Sequence, residues 1–374
     1  MPTIIIAGGG IAGLEALAAL RRHLGPDVHI DLLEANLDLV ERPVTVLEPF
    51  GGVAPRSYDL AQIARDHDAS LRPDRLASVS PAAQRLRTVR GDLLKYDALL
   101  VAVGARPEPA VPGALTFSGR RGVGAMRQLL ADLVARTVRS VAFAAPVGVT
   151  WTLPLYELAL MTAERLRSAR VDARLAVVTP EDDPLDVFGA RPAKRMRALL
   201  AERGIGVWTH AVPMRIGSGG LEIVGGATIA AERVVALPRL GGPYIAGLPH
   251  DAAGFIPTDR HGAVPGAPAV WAAGDATTLP VKQGALAAQQ ADAAAEAIAA
   301  HFGADIAPEP FRPVLRGLLL DPRGPRLLDG DIAHVPHTED LPDVPMWWPP
   351  AKVVARHLAP YLAAGGGIRP TQEK

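Results

Sequence analysis

The sequence predicts an α/β fold of two successive sheet-and-helix units, and three observations carry that expectation. Near the start, "TIIIAGGGIAGLEALAALRRH" joins an apolar run to closely spaced glycines and a helix-like stretch. Between residues 124 and 209, short apolar runs alternate with longer amphipathic ones. With 374 residues, the chain is too long for one typical domain and long enough for two proper cores.

The first strand is Thr3 to Ala7, an apolar run of the kind that lies buried in a parallel sheet. Gly8, Gly10 and Gly13 then fit G-x-G-x-x-G. Gly8 permits a tight turn, Gly10 lets the backbone approach a pyrophosphate, and Gly13 lets helix and strand pack closely. Ile11 and Ala12 open the helix, whose free N–H groups point at the phosphates. A second strand, "VHIDLLEAN", ends in Glu34 and Ala35, with Glu34 placed to accept hydrogen bonds from a ribose diol. Strand, glycine loop, helix and acid in this order point to a dinucleotide.

Composition narrows the function classes. The 39 basic and 39 acidic residues balance, so no nucleic-acid partner is expected. The chain has no cysteine, which excludes disulfides, cysteine-ligated zinc, iron–sulfur clusters and thiol-based redox steps. Met1 runs directly into the first strand, so no secretory signal is expected. No apolar run reaches the length of about 18 residues that a transmembrane helix needs. The expected location is the cytoplasm, with at most peripheral contact at the inner face of the membrane.

Two later stretches separate FAD from NAD. "KYDALLVAVGARP" (95–107) is a strand through Ala102 that ends in Gly104, Ala105 and Arg106. "PAVWAAGDATTLPVKQGALAAQQADAAAEAIAA" (268–300) is a strand ending in Gly274 and Asp275, followed by a long Ala-rich helix. With the first loop, and in this order, the stretches resemble the three fingerprints of the two-dinucleotide-fold flavoproteins, the pyridine nucleotide-disulfide oxidoreductase superfamily. The resemblance implies FAD as cofactor. It also implies two Rossmann-like domains of the glutathione-reductase type, in three layers with a β-meander. In that superfamily the late Gly–Asp pair hydrogen-bonds the ribityl and phosphate part of FAD.

The expected organisation is then a discontinuous FAD-binding domain, 1–112 and 241–307, with "RPEPAVPG" and "LPRLGGPYIAGLP" as linkers out and back. A second, NAD(P)-like domain occupies 113–240. Its expected elements are helices at 124–137, 154–169 and 190–203 and strands at 140–145, 173–179 and 205–209. Leu76, Val79, Leu86 and Val89 mark a β-meander in the first domain. Residues 308–374 form a short C-terminal cap.

The second unit lacks a nucleotide loop. Where G-x-G-x-x-G would stand, the chain has Ala145, Pro146, Val147, Gly148, Val149 and Thr150, then Trp151, Thr152, Leu153 and Pro154. Pro146 donates no backbone N–H, Trp151 is bulky where a backbone would approach phosphate, and Pro154 suits a first helical turn. The next strand ends in Glu181, Asp182 and Asp183, which are read as solvated acids, although an acid there would suit a ribose. The unit is therefore expected to keep its fold without tight dinucleotide binding.

"APVGVTWTLPLYELA" and "LPVKQGALAAQQ" resemble the corresponding regions of the sulfide:quinone oxidoreductase and flavocytochrome c sulfide dehydrogenase group. That group works with cysteines beside the flavin, and this chain departs from it by having none. The expected activity is an FAD-dependent oxidoreductase passing electrons between a small-molecule donor and an acceptor such as a quinone. An NAD(P)H-dependent flavin reductase, and a flavin-carrying electron-transfer subunit with a cytochrome partner, stay open as alternatives. So does a homodimer.

Lys282 is the candidate catalytic charge. It stands at the start of the 284–300 helix, which in related flavoproteins faces the pyrimidine edge of the isoalloxazine. Positive charge there favours the reduced flavin. Gln283 is a second donor to that edge, and Arg42 and Arg106 are candidates for phosphate contact. No metal site is expected, since His334 and His337 lack a third ligand at suitable spacing. In the tail, Trp347 and Trp348 precede Val353, Val354, Leu358 and Leu362 at helical spacing, with Lys352, Arg356 and His357 among them. This is read as an amphipathic helix docked on the body, and alternatively as a weak membrane contact through 346–362.

Overall fold

The computed structural model describes residues 1–52, 54–324, 326–330, 352 and 354–367. Trp347, Trp348, Val353, His334 and His337 lie outside the residues whose packing is described. The helices are α1 (Ile11–Leu24), α2 (Leu60–Asp66), α3 (Arg120–Val134), α4 (Leu153–Ala169), α5 (Ala190–Glu202), α6 (Gly284–His301) and α7 (Leu358–Ala363).

A five-stranded parallel sheet runs in the order Val270–Ala272, Ala98–Val101, Thr3–Ala7, His29–Leu33, Ser70–Arg72. Thr3–Ala7 lies at its centre because it is apolar on both faces, and Ile4, Ile5, Ile6 and Ala7 are fully buried. Side chains alternate across a strand. Ile4 and Ile6 pack with α1 and α6, while Ile5 and Ala7 pack with Leu76, Val79 and Leu86 of the meander. Helices, sheet and meander thus form three layers. Val89 is not part of the meander's apolar face: it lies past the strand Arg85–Thr88 and is 64% exposed.

A second five-stranded parallel sheet runs in the order Leu115–Thr116, Arg233–Ala236, Ser140–Ala144, Arg174–Val178, Ile205–Trp208. The expected helices and strands fall within a few residues of those observed. The largest difference is α3, which starts at Arg120 and ends at Val134. Gly122 and Gly124 weaken the helical pattern there, but a Cβ on Gly122 would meet Phe117 at 2.8 Å, so close packing requires the glycine. The antiparallel strands Pro213–Gly217, Gly220–Ile223 and Thr228–Ile229 were not foreseen.

The two segments expected as linkers pair with each other. Arg106–Glu108 and Arg239–Gly241 form a two-stranded antiparallel ribbon. The C-terminal residues also pack on the body. The hairpin Leu315–Leu319/Arg326–Gly330 touches α4, α5 and α6. Val354, Leu358 and Leu362 are buried, the latter two in the core of the first sheet, so this part of the tail docks on the chain itself. Lys352 pairs with the buried Glu157 of α4 at 2.6 Å. Among the described residues no helix is long and apolar enough to cross a membrane.

Glu15 caps α7. Fully buried on α1, it accepts from the backbone N–H of His357 at 2.8 Å and of Leu358 at 2.6 Å. Asp292 of α6 lies beside it, where burial and the Glu15 carboxylate push its pKa up to about 8. Glu296 adds to the upward push and Arg356 opposes it. Burial also raises Glu15 and lowers His357 to about 4. Glu15, Asp292 and His357 are close enough to hold a metal ion, but both Glu15 oxygens already serve as the helix cap.

Leu358→Ala is expected to cost about 2–4 kcal/mol in urea unfolding, the range for a buried leucine, and to open the tail to proteolysis. A carboxyl whose folded pKa lies above its unfolded value stabilises at low pH and loses that contribution as pH rises through the folded value. The stability due to Asp292 should therefore fall between its ordinary 3.8 and about 8. Asp292→Asn, neutral throughout, should flatten that decline in urea melts taken across the window.

Candidate functional site

The glycine loop is held by close approaches. Gly8 has φ +116°, and a Cβ there would meet Ala102 O at 2.2 Å. A Cβ on Gly13 would lie 1.8 Å from Gly8 O, so α1 can pass this near the strand only with glycine at that position. Gly10, the N-cap of α1, faces open space, where a Cβ would meet nothing within 4 Å. No side chain caps α1 and no acid stands in its first turn. Its N-terminal N–H groups at Ile11 and Ala12 are therefore available to an anion.

Glu34 sits at the end of the second strand, facing the loop. Its Oε2 accepts from Gly9 N at 3.0 Å and its Oε1 from Asn36 N at 2.8 Å. The Asn36 side-chain amide also donates to Oε1, at 2.9 Å, so Oε2 is the oxygen that keeps lone-pair capacity for a hydroxyl. Ala35 follows it, half-buried. Ala102 is buried, its N–H bonded to Ala7 O, and Gly104 turns the chain at φ +73°.

Asp275 stands on a short 3-10 turn, Gly274–Ala276, after the strand Val270–Ala272. Its carboxylate accepts no hydrogen bond from the described residues, and burial raises its pKa against the charges of Lys282 and Arg42. Such a group lacks a partner that a ligand hydroxyl would supply. Lys282 is not a solvated lysine. Its Nζ donates to Thr277 O and lies 3.8 Å from the centre of the Phe255 ring. Burial lowers its pKa to about 8, against the pull of Asp275 and Asp251.

Three other candidates are engaged elsewhere or only nearby. Gln283 caps α6, accepting from Leu286 N at 3.0 Å and donating to Arg316 O at 3.0 Å, so both ends of its amide are occupied. Arg106 donates twice to Gly242 O, at 3.1 and 2.8 Å, and stacks on Tyr244. It braces the linker ribbon. Arg42 is exposed at the start of a 3-10 helix, near enough to Asp275 to lower its pKa.

The turn of the second unit folds onto this site. Thr150 donates to Pro280 O at 2.6 Å, two residues before Lys282, and Trp151 packs against Phe188 with ring centres 5.7 Å apart. Glu181 is turned inward, a correction to its reading as a solvated acid. It accepts from Thr152 at 2.7 Å, Tyr156 at 2.5 Å, Thr179 at 2.7 Å and Leu185 N at 3.2 Å. Burial raises its pKa. Asp183 pairs with Arg197 and Asp182 with His210. The acid that would suit a ribose is saturated by its own chain, and the residues of this turn do not fit a second dinucleotide. The first site fits FAD: an uncapped helix start, an open glycine, and an acid lacking hydrogen-bond donors.

Sequence reasoning missed Thr277 and Gln290. Gly274 N donates to Gln290 Oε1 at 2.9 Å and Thr277 Oγ1 donates to Gly274 O at 2.9 Å, all buried. The available signal was a polar residue amid the alanines of α6.

Residues 2–297 match the family model described as pyridine nucleotide-disulphide oxidoreductase. Among solved structures, the chain is similar to a sulfide:quinone oxidoreductase from the hyperthermophilic bacterium Aquifex aeolicus. The TM-score is 0.78 at 22% identity, over 85% of this chain and 81% of that one. It is also similar to an NAD-dependent persulfide reductase from A. fulgidus, with TM-score 0.62, 20% identity, and 85% and 62% of the two chains covered. A ferredoxin reductase from Rhodopseudomonas palustris gives TM-score 0.65 at 18% identity, over 85% and 80%. No curated protein matches the sequence. The similar structures share the fold, and the family match spans most of the chain, which makes it a member of the pyridine nucleotide-disulphide oxidoreductase family, a flavin-dependent oxidoreductase.

Proposed function

We propose that the chain holds FAD at the first loop and passes electrons between a small-molecule donor other than NAD(P)H and an acceptor such as a quinone. When bound, FAD supplies the two-electron carrier. The FAD unit is assigned to 1–112 and 241–307, the NAD(P)-like unit to 113–240, and the cap to 308–374. Gly8, Gly10 and Gly13 shape the pyrophosphate loop, α1 meets the phosphates, Glu34 accepts from the ribose, and Asp275 accepts from the ribityl chain. Lys282 supplies positive charge near the reacting end.

The observation that carries the exclusion of NAD(P)H is the saturated Glu181 together with the Thr150–Pro280 bond. The absence of cysteine keeps the chain from the cysteine-based sulfide chemistry of the similar group. The quinone is proposed because the similar Aquifex protein is a sulfide:quinone oxidoreductase.

The purified chain should be yellow and should bleach slowly, or not at all, on anaerobic stopped-flow mixing with micromolar NADH or NADPH. Rapid bleaching would reinstate the NAD(P)H-dependent alternative, and a colourless folded preparation that takes up no FAD would end the proposal.

Lys282→Met keeps the stem and deletes the charge. One partly screened charge is worth on the order of 1–2 kcal/mol, and about 30 mV corresponds to 1.4 kcal/mol for a two-electron couple. The flavin midpoint potential should therefore fall by roughly 20–45 mV, with FAD still bound. Because Lys282 loses its proton near pH 8, the gap between wild type and variant should close as pH rises past that value. Spectroelectrochemical titration at several pH values checks both the size and the closure.

A further inference from the structure

Asp275 and Lys282 share one mounting. Asp275 lies on a turn of three residues that Gly274 enters at φ +78°; Thr277 N donates to Gly274 O at 3.0 Å across it, and Ile256 N donates to Ala276 O at 2.9 Å on its outer side. The turn is held from behind by a closed ring of hydrogen bonds. Gly274 N donates to Gln290 Oε1 at 2.9 Å, Gln290 Nε2 donates to Thr277 Oγ1 at 3.2 Å, and Thr277 Oγ1 donates to Gly274 O at 2.9 Å. Gln290 is 6% exposed and Thr277 is fully buried. Breaking the ring therefore leaves a buried donor or acceptor unpaired, without water to replace it.

The ring reaches the charged groups at two points. Asp275 is the residue between the ring's Gly274 and Ala276, so its carboxylate is aimed by the backbone the ring holds. Lys282 Nζ donates to the carbonyl of Thr277, the residue whose hydroxyl closes the ring. Gln290 sits on α6, whose packing with α1 also sets the glycine loop, so the ring ties the turn to the same scaffold as the phosphate site.

We infer that Gln290 is a positioning residue: acting through Thr277, it sets the turn that aims Asp275 and anchors Lys282, and so governs both how tightly FAD is held and the potential at which it works. The inference rests on the proposal that the first site binds FAD. It assigns Gln290 no contact with the cofactor.

The test uses the full chain as Gln290→Leu, Thr277→Val, Thr277→Ser and the Gln290→Leu/Thr277→Val double variant. Apoprotein melting temperature, FAD affinity by reconstitution and flavin midpoint potential are measured on each. Gln290→Leu and Thr277→Val should each weaken FAD by about tenfold or more, the size of one buried hydrogen bond left half-made. The double variant should be no weaker than the worse single, because one break already opens the ring. Thr277→Ser, which keeps the hydroxyl, should stay within about twofold of wild type, since the bond it makes is retained. The potential should fall in Gln290→Leu in the same direction as in Lys282→Met, and not further when the two are combined.

A lowered melting temperature with FAD affinity and potential unchanged would reduce Gln290 to a structural residue and overturn the inference. Losses that multiply in the double variant would overturn the ring. Should Gln290→Leu fail to fold, the Thr277 pair carries the comparison. A wild-type chain that takes up no FAD overturns the parent proposal and this inference with it, and is seen before any substitution is made.

Discussion

Helices α1 and α6 can lie side by side, with their starts at one place, only because small residues line their contact. Ala12, Ala16 and Ala19 face Ala287, Ala291, Ala294 and Ala295 in one core cluster. A Cβ on Gly274 would come 3.0 Å from Ala12 and 3.4 Å from Ala287, so the Asp275 turn is wedged where the two helices meet. Larger side chains along this seam would separate the glycine loop from the Asp275 turn. An extended cofactor needs both at once. The alanine content of α6, easily read as compositional bias, is therefore a geometric requirement.

The first unit was largely legible in the sequence because its determinants are local. Gly8 and Gly13 are demanded by contacts with Ala102 O and with Gly8 O itself, and glycine at such spacing has few other uses. Glu34 follows its strand directly and bonds back to Gly9. The arrangement behind Asp275 was not legible, since Gly274 and Gln290 lie 16 residues apart and meet only through tertiary packing. The bonds that Arg106 and Gln283 make were not legible for a related reason. Their partners, Gly242 and Arg316, are remote in sequence.

The second unit shows how far pattern alone extends. Alternating helices and strands from α3 to Ile205–Trp208 were readable to within a few residues. The strands of 213–229 were not, because they are short, partly exposed and interrupted by glycine. The acid Glu181 looked solvated since three acids at a turn usually are. Its four donors, three of them hydroxyls from Thr152, Tyr156 and Thr179, converge only once α4 has docked beside the strand end. The strand end and the start of α4 are thereby joined through one buried carboxylate, by side chains that are ordinary one at a time.

The linker ribbon has a mechanical consequence. Arg106–Glu108 and Arg239–Gly241 cross between the two sheets as one hydrogen-bonded pair, with Arg106 clamped to Gly242 and Tyr244. Two separate tethers would let the second sheet swing and swivel independently of the first. Pairing couples the two crossings, so that neither can shift along or away from the other without breaking the hydrogen bonds between them. Parting the two sheets would break more than the ribbon: the Thr150–Pro280 bond would go, and so would a core in which Val46 and Leu286 pack in one cluster with Phe143 and Leu153.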